Sequence, residues 1–424
     1  MKKKLSLTMK IFIALGLGLI MGLILNSMPS GYVKDTLLID GIFRLFGKVF
    51  INAIKMLVVP LVFVSLVCGS SAIGDVKKLG RVGVKTLGFY MITTALAISV
   101  ALLVGKFINP GIGLDMSNII KQEPTIGQSK SLVDVLIAMV PTNPIASMAN
   151  GEMLPIIVFS LLMGISMALV GEKAQPVINI FESLNEIVMK VVMVVMEFAP
   201  IGVFALISNT FANVGLSAMV NLGKYMGAVI LALLLHATLT YMGVLTFVGR
   251  LNPVVFFKKF LPVAGVAFST SSSNATLPVT IEAVESMGVS KNVASFTLPL
   301  GATINMDGTA IMQGVACVFI SQVYGIDLSI QALLTIIATA TLASVGTAGV
   351  PGVGMITLSM VLQSVGLPVE GIALIIGIDR VLDMSRTVVN ITGDSVCTIV
   401  VAKTEGEFDE DMYYDQNIVN EVLN

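Results

Sequence analysis

Five polar side chains recur in one register near the C-terminal end of the chain: Asp379, Asp383, Arg386, Asn390 and Asp394, at spacings of 4, 3, 4 and 4. At ~100° per residue they fall within an arc of roughly 80° on one helix face. Val381, Leu382, Val388, Val389 and Ile391 take the other sides. The pattern predicts a helix buried in apolar surroundings, with a charged stripe facing a protected cavity. Ionisable groups at membrane depth are costly, and by default they mark an ion or substrate path.

Within the stripe, the planar fork of Arg386 matches a carboxylate bidentately. Asp383, one turn earlier on the same face, can accept hydrogen bonds from an ammonium group. Together they suit a ligand carrying an amino group and at least one carboxylate. The same two residues also suit a plain i,i+3 ion pair, and spacing alone leaves both open.

A second constellation is NMDGT, where Asn305, Asp307 and Thr309 alternate with period two between Gly301 and Gly308. No regular helix face has that period. Glycine lowers the cost of unwinding, and an unwound turn frees backbone carbonyls. Carbonyls, amide oxygens and carboxylates are hard ligands that suit Na⁺. The alternative is a glycine-kinked helix whose polar groups satisfy one another. Charge counting bears on the choice. Asp307, Asp379, Asp383 and Asp394 give −4, and Arg380 and Arg386 give +2, leaving −2. Burying that imbalance is prohibitive, so cations or protons must enter with or before an anionic ligand.

The elements that must position these groups are unusual. Two apolar segments are interrupted by small and polar residues, FSTSSSNATLPVT at Phe268–Thr280 and ASVGTAGVPGVG at Ala343–Gly354. Non-helical backbone at membrane depth is tolerated only where protein or a water-filled cavity covers it. The segments therefore read as two re-entrant hairpins, with exposed loops between ordinary helices as the alternative. Half-helix N-termini at a tip such as Ser271–Asn274 suit a second carboxylate. A polar-bearing span follows each hairpin, Ser295–Ile320 and then Ile372–Val401. Interrupted segments at corresponding places in two halves point to a transporter's binding site.

Composition agrees. The chain has 424 residues, 55% hydrophobic and 12% charged, against about 25% charged in soluble domains. Further apolar runs at Met9–Leu25, Leu37–Gly69, Val84–Ile108, Leu132–Val170, Ile178–Ile207 and Val220–Val248 bring the count of membrane helices to about eight. Leu132–Val170 is broken by PTNP and by Gly151–Glu152, so it reads as helical pieces. Basic Lys2, Lys3 and Lys4 precede an uncleaved first span and place the N-terminus in the cytoplasm, with the loops at Lys77–Lys85 and Arg250–Lys259 on the same side. The acidic tail after Ala402 reads as solvated. Cys68, Cys317 and Cys397 lie in apolar runs and suggest neither disulfides nor a metal cluster. The single histidine, His236, stands in LALLLHATLT and reads as a buried, satisfied or cavity-facing group. No G-x-S-x-G elbow or phosphate loop is present, and no loop holds a nucleotide domain, which argues against an enzyme and an ATP-driven pump. A net charge of −1 points to no nucleic-acid partner.

TSSSNATLP (Thr270–Pro278), NMDGT (Asn305–Thr309), GTAGVPGVG (Gly346–Gly354) and LDMSRTVVNITGD (Leu382–Asp394) resemble the glutamate/aspartate transporter family, the dicarboxylate/amino acid:cation symporters. The resemblance implies an all-α polytopic membrane protein with two re-entrant hairpins and inverted repeats, working as an elevator within a homotrimer. It implies scaffold parts at 1–82 and 111–215, transport parts at 83–110 and 216–403, and a cytoplasmic tail at 404–424, in a bacterial inner membrane. Arg386 is then the ligand of the substrate's side-chain carboxylate and Asp383 that of its amino group. Thr309, Thr387, Asn390 and Gly354 complete the pocket, with backbone from Ser272, Ser273 and Val350, and Asn274 in place of a third serine. One sodium site uses Asn305, Asp394 and carbonyls of Gly301 and Asn390. A second uses backbone from Thr303, Ser344, Val345 and Thr347. A third uses Tyr90, Thr93, Thr94, Asn305 and Asp307. The implied partners are an acidic amino acid, Na⁺ and membrane lipid.

Two departures stand out. Archaeal members carry an arginine just before the hairpin serines, where this chain has Ser271. Animal members carry one directly after the last helix's aspartate, where this chain has Met384. Arg380 lies one helical turn before Met384 and can supply the missing positive charge. Retained Arg386 argues against neutral amino acids as substrate, and Asp383 with Asp394 against plain dicarboxylates. Proton coupling to glutamate or a C4-dicarboxylate, and an ion channel, are the competing functions. If Arg380 supplies that charge, Arg380→Ala changes uptake kinetics and substrate choice; radiolabelled uptake indistinguishable from wild type refutes it.

Overall fold

The computed structural model describes residues 7–72, 81–114, 137, 140–215, 217–345, 347, 349 and 352–415. These residues fold almost entirely as helices, with no strand beyond an isolated bridge between Val289 and Phe408. Seven helical stretches among them are long and apolar enough to cross a membrane. Large apolar side chains face outward, Phe107 at 88% and Phe247 at 83% exposure, which water would penalise and lipid does not. The chain is an all-α polytopic membrane protein.

Helix α1 (Leu7–Ser27) is followed by a π-helical stretch, Tyr32–Phe43, that leads into α2 (Arg44–Ala72). α3 is Arg81–Ile108. The predicted break before the next span is present: Asn143 caps Pro144–Asn150, Gly151 turns in the left-handed region at φ 70°, and α4 (Met153–Val170) continues. The first part of that run, 132–136, lies outside the described residues.

The expected single span Ile178–Ile207 is two helices, α5 (Gln175–Glu197) and α6 (Ala199–Val214). The cause is Pro200, which lacks an N–H and clashes with the preceding turn, so it is tolerated in a first turn and not in a helix interior. The apolar run hides this break, because hydropathy is blind to direction. α5 packs on α2 while α6 packs on α1. Glycine permits the second contact: a Cβ on Gly22 would stand 2.6 Å from the Phe211 Cβ and 2.9 Å from the Ser208 carbonyl.

The next span starts as α7 (Ser217–Leu235), widens into a π-helical turn at His236–Tyr241 and continues through Met242–Phe247. The two hairpins follow as expected. The first consists of α8 (Pro253–Thr270) and α9 (Ser273–Ser286) around Ser271 and Ser272. Ser271 adopts φ 53°, the left-handed turn that reverses the chain. The NMDGT span is broken where predicted, α10 (Lys291–Ile304) ending at extended Asn305 and α11 starting at Asp307 and running to Val323. The second hairpin is α12 (Ile330–Ser344) and α13 (Val353–Ser364). The last long helix, α14 (Asp379–Glu405), is buried along most of its length, although its polar row keeps it out of the seven apolar stretches.

The acidic tail is not wholly solvated. Gly406 ends α14 at φ 76°, the chain turns back, and α15 (Glu410–Tyr414) docks on the base of the first hairpin. Tyr413 is fully buried, its hydroxyl donates to the Asn252 carbonyl at 2.9 Å, and Lys259 Nζ donates to the Met412 carbonyl at 2.8 Å. Residues 416–424 lie outside the described part. Truncation of such a ring to alanine costs about 3 kcal/mol. Tyr413→Ala is therefore expected to lower the thermal unfolding midpoint of the purified protein by several degrees; an unchanged midpoint would show the docking to be incidental.

Candidate functional site

The stripe on α14 is buried, and it faces both hairpin tips. Arg386 is 1% exposed. Its Nη1 donates to Asp379 Oδ1 and its Nη2 to Asp383 Oδ1, each at 2.7 Å. Arg380 Nη1 donates to the other Asp383 oxygen at 3.3 Å. The Gly352 N–H, at the start of α13, also donates to Asp383 Oδ2 at 3.3 Å. Two arginines thus stand against two aspartates, and this group is neutral.

The hairpin tips touch each other over the stripe. Ser272 Oγ donates to the Gly349 carbonyl at 2.7 Å, and the Asn274 N–H approaches the same oxygen at 3.4 Å. Ser272 also caps α9 by accepting from the Ala275 N–H. Between the tips and α14 is a cavity of about 20 Å³, lined by Ser271, Ser273, Thr309, Gly354, Asp383, Thr387 and Asn390 among others. That volume holds about one water. A Cβ on Gly354 would lie 3.3 Å from Arg386 Nη2, a tight contact, so glycine eases the approach of α13 to the guanidinium. The Asn274 side chain is exposed and does not line the cavity. Val350 lies outside the described residues.

The sodium-ligand candidates gather one and two turns further along α14. Asp394 is 2% exposed and Asp307 fully buried. Asn305 lies between the two constellations: its Nδ2 donates to Asp394 Oδ1 at 2.9 Å and to the Asn390 carbonyl at 3.0 Å. Asn390 Oδ1 in turn accepts from the Gly308 N–H at 2.7 Å, which ties the start of α11 to α14. Gly301 packs on the Asp394 carboxylate and the Tyr90 hydroxyl so closely that a Cβ would overlap both. Thr94 donates to Asp307 Oδ1, and Thr93 lies on the same face of α3, bonded to the Tyr90 carbonyl. Thr303, Ser344 and Thr347 bond their own preceding turns through their hydroxyls. The tip carrying Val345 and Thr347 approaches this end of α10: a Cβ on Gly349 would lie 3.0 Å from the Ala302 carbonyl.

The charge count now has a location. Asp379 and Asp383 are matched by Arg386 and Arg380. Among the described residues, Asp307 and Asp394 are met only by neutral donors and by His236, whose Nε2 lies 3.0 Å from Asp307 Oδ2. Asn305 Oδ1, buried among them, has no hydrogen-bond partner among the described residues. A buried amide oxygen without a donor is rare. The Asn305 amide nitrogen, by contrast, is fully used between Asp394 and the Asn390 carbonyl. Two partners of Asp307 escape a reading of the sequence. His236 reads there as a buried, satisfied or cavity-facing group with no partner named, and Tyr241, which donates to Asp307 Oδ2 at 2.7 Å, carries no motif.

Broken helices meeting at paired tips, an arginine–aspartate cluster and an uncompensated acidic site define a membrane carrier. Residues 7–404 match the sodium:dicarboxylate symporter family, and the chain belongs to it. It is a transporter and not an enzyme. It is similar to the proton/glutamate-aspartate symporter of Escherichia coli (39% identical over 416 residues, covering 96% of this chain and 94% of that protein). It is also similar to the proton/sodium-glutamate symport protein of Bacillus caldotenax (37% over 418 residues, 96% and 97%). A C4-dicarboxylate transport protein of Bacillus subtilis is 34% identical over 413 residues, 96% and 95%.

Overpacking a buried contact costs roughly 1–3 kcal/mol. Gly301→Ala, which forces a methyl between Asp394 and Tyr90, is accordingly expected to cut initial uptake about tenfold or more while the purified protein elutes normally on size exclusion. Wild-type uptake in that variant would show that the packing at Gly301 is not needed.

Proposed function

We propose that this chain is a Na⁺-coupled symporter that imports acidic amino acids, glutamate or aspartate, across a bacterial plasma membrane. The observation that carries the proposal is the pairing of a neutral Arg386 cluster with a separate carboxylate pair, Asp307 and Asp394, that faces no lysine or arginine among the described residues, around an Asn305 Oδ1 without a partner among them. The first can exchange an internal carboxylate for a substrate carboxylate. The second needs a cation before it is stable.

In this mechanism a first cation binds at Asn305 and Asp394 with the carbonyls of Gly301 and Asn390, a third at Asp307 and Asn305 with Tyr90, Thr93 and Thr94, and the tip of the second hairpin parts from Ser272 to admit substrate. A cavity of about 20 Å³ cannot hold an amino acid, so opening must precede binding. The substrate's side-chain carboxylate takes over Arg386 from Asp379, and its ammonium group bonds Asp383. Thr309, Thr387, Asn390 and Gly354 line the closed pocket. Arg380 stays paired with Asp383 and adds positive potential for a dianionic ligand. The second sodium site uses the carbonyls near Thr303, Ser344, Val345 and Thr347.

We assign α1, α2, α4, α5 and α6 to a scaffold and α3 and α7–α14 to a moving unit within a homotrimer, with both chain termini cytoplasmic. The packing supports this division, because each set packs chiefly within itself and α13 is the main element touching the other, at α2 and α4. A single ion pair among the described residues, Lys55 to Glu370 at 2.8 Å, also crosses the boundary.

Proton coupling is the second reading, favoured by the proton-coupled function of the E. coli relative. Uptake of labelled aspartate, glutamate and succinate into proteoliposomes under imposed Na⁺ or proton gradients separates the two. Replacing external Na⁺ by choline is expected to abolish aspartate and glutamate uptake; uptake driven equally by a proton gradient alone would overturn sodium coupling. Arg386→Cys should lose acidic substrates and admit neutral ones, and unchanged glutamate and aspartate transport would refute its role as anchor.

A further inference from the structure

We propose that the π-helical turn His236–Tyr241 is a positioning device for the cation-binding carboxylate. Its two ends grip Asp307 Oδ2 together and thereby present Oδ1 to the cation. This deepens the sodium reading above and rests on it.

The geometry of the turn is what makes the grip possible. In an α-helix, residues five apart point about 140° away from one another. The i→i+5 bonding of a π-helix brings such residues onto one face. His236 and Tyr241 are the first and last residues of this turn, and both are fully buried. His236 Nε2 lies 3.0 Å and the Tyr241 hydroxyl 2.7 Å from the same oxygen of Asp307. Their rings pack edge to face, with centroids 4.7 Å apart and planes at 73°, so each holds the other in place.

The hydrogen-bond inventory then gives the direction of the carboxylate. His236 Nδ1 has no partner among the described residues. With a proton on Nε2, His236 donates to Asp307. Tyr241 donates as well, so both lone pairs of Oδ2 are occupied. Oδ1 accepts from Thr94 and keeps one lone pair. The Thr94 hydroxyl, donating its proton, keeps its own lone pairs, and Asn305 Oδ1 is unpartnered among the described residues. The oxygens left for a cation are therefore one from Asp307, one from Thr94 and one from Asn305. Asp307 cannot rotate to chelate with both oxygens while the clamp holds. A carboxylate fixed in one orientation binds its ion without reorganisation, and loss of such outer partners typically weakens metal sites about 10–100-fold.

The test uses the full chain in proteoliposomes, with aspartate and glutamate uptake measured against external Na⁺ for wild type, His236→Leu, His236→Gln and Tyr241→Phe. A glutamine amide can place its N–H near the position of Nε2, whereas leucine removes the donor. Half-saturating Na⁺ is expected to rise about tenfold or more in His236→Leu and Tyr241→Phe, and to stay within about threefold of wild type in His236→Gln. The change should fall on Na⁺ half-saturation rather than on the maximal rate. Stabilisation of the detergent-purified proteins by Na⁺, read as a thermal shift, reports the same site without transport. It also keeps the test decisive if His236→Leu does not fold, because Tyr241→Phe deletes only one hydroxyl. Na⁺-dependent wild type with unshifted half-saturation in the variants overturns the clamp and leaves sodium coupling standing, as does a His236→Gln variant as impaired as leucine. A wild type that neither needs Na⁺ for uptake nor is stabilised by it overturns both.

Discussion

Burying four carboxylates with two guanidiniums is the constraint that organises this molecule. An isolated buried charge is costly, and removing one partner of a buried pair leaves that cost exposed. The chain meets the constraint by sorting its charges. Asp379 and Asp383 share Arg386 and Arg380 at the level of the hairpin tips, while Asp307 and Asp394 are set apart, met among the described residues by Thr94, Tyr241, His236 and Asn305 rather than by lysine or arginine. A neutral cluster and an acidic one, both on or against α14, give one protein two kinds of receptive site. On the proposed function, the first accepts an anionic group by exchange and the second a cation by need.

Helix breaks put the right backbone groups beside these charges. α9, α11 and α13 all start at the site, with Ser273, Asp307 and Val353 as their first residues. Each contributes free N–H groups and the positive end of its dipole. The Gly352 N–H on Asp383 and the Gly308 N–H on Asn390 are two such groups already in use. Small residues make the close approaches possible. A side chain at Gly308 would meet the Arg386 backbone, and one at Gly354 its guanidinium. The glycines of the motifs are therefore packing requirements as much as hinges.

Much of this is legible in the residues alone. The 4-3-4-4 register survives folding intact because a helix face is a local property, set by 3.6 residues per turn. Asn305 and Asp307 do bracket an unwound turn, and Ser272 in the TSSSNAT cluster does meet Gly349 of the second small-residue cluster. What is not legible depends on direction or on width. Pro200 splits an apolar run that hydropathy alone joins. Tyr413 buries a tail whose acidity suggests solvent, since a single ring outweighs several charges that stay at the rim. The π-helical turn at His236–Tyr241 has no compositional mark; at α-helical spacing its two ends do not face the same group. Asp379 is visible in the stripe, but its pairing with Arg386 emerges only from the fold.

The same arrangement gives the proposed substrate and cation sites a physical route by which to respond to one another. Arg386, Asn390 and Asp394 are successive turns of one continuous helix, and from Arg386 to Asp394 is about 12 Å at 1.5 Å per residue. In water at physiological salt that separation exceeds the screening length. Within this protein the intervening space is filled by buried side chains, so the charges are screened far less. Asn390 adds a mechanical link: its side chain holds an N–H at the start of α11, and its carbonyl holds Asn305, whose amide also holds Asp394. A cation that takes Asn305 Oδ1 therefore fixes the same asparagine that is tied through Asn390 to α11, whose Thr309 lines the substrate cavity. Order imposed at the acidic end lowers the conformational cost of closing the other. Coupling of that kind needs no large movement within the site; it needs the bridge at Asn305 and Asn390 to stay whole.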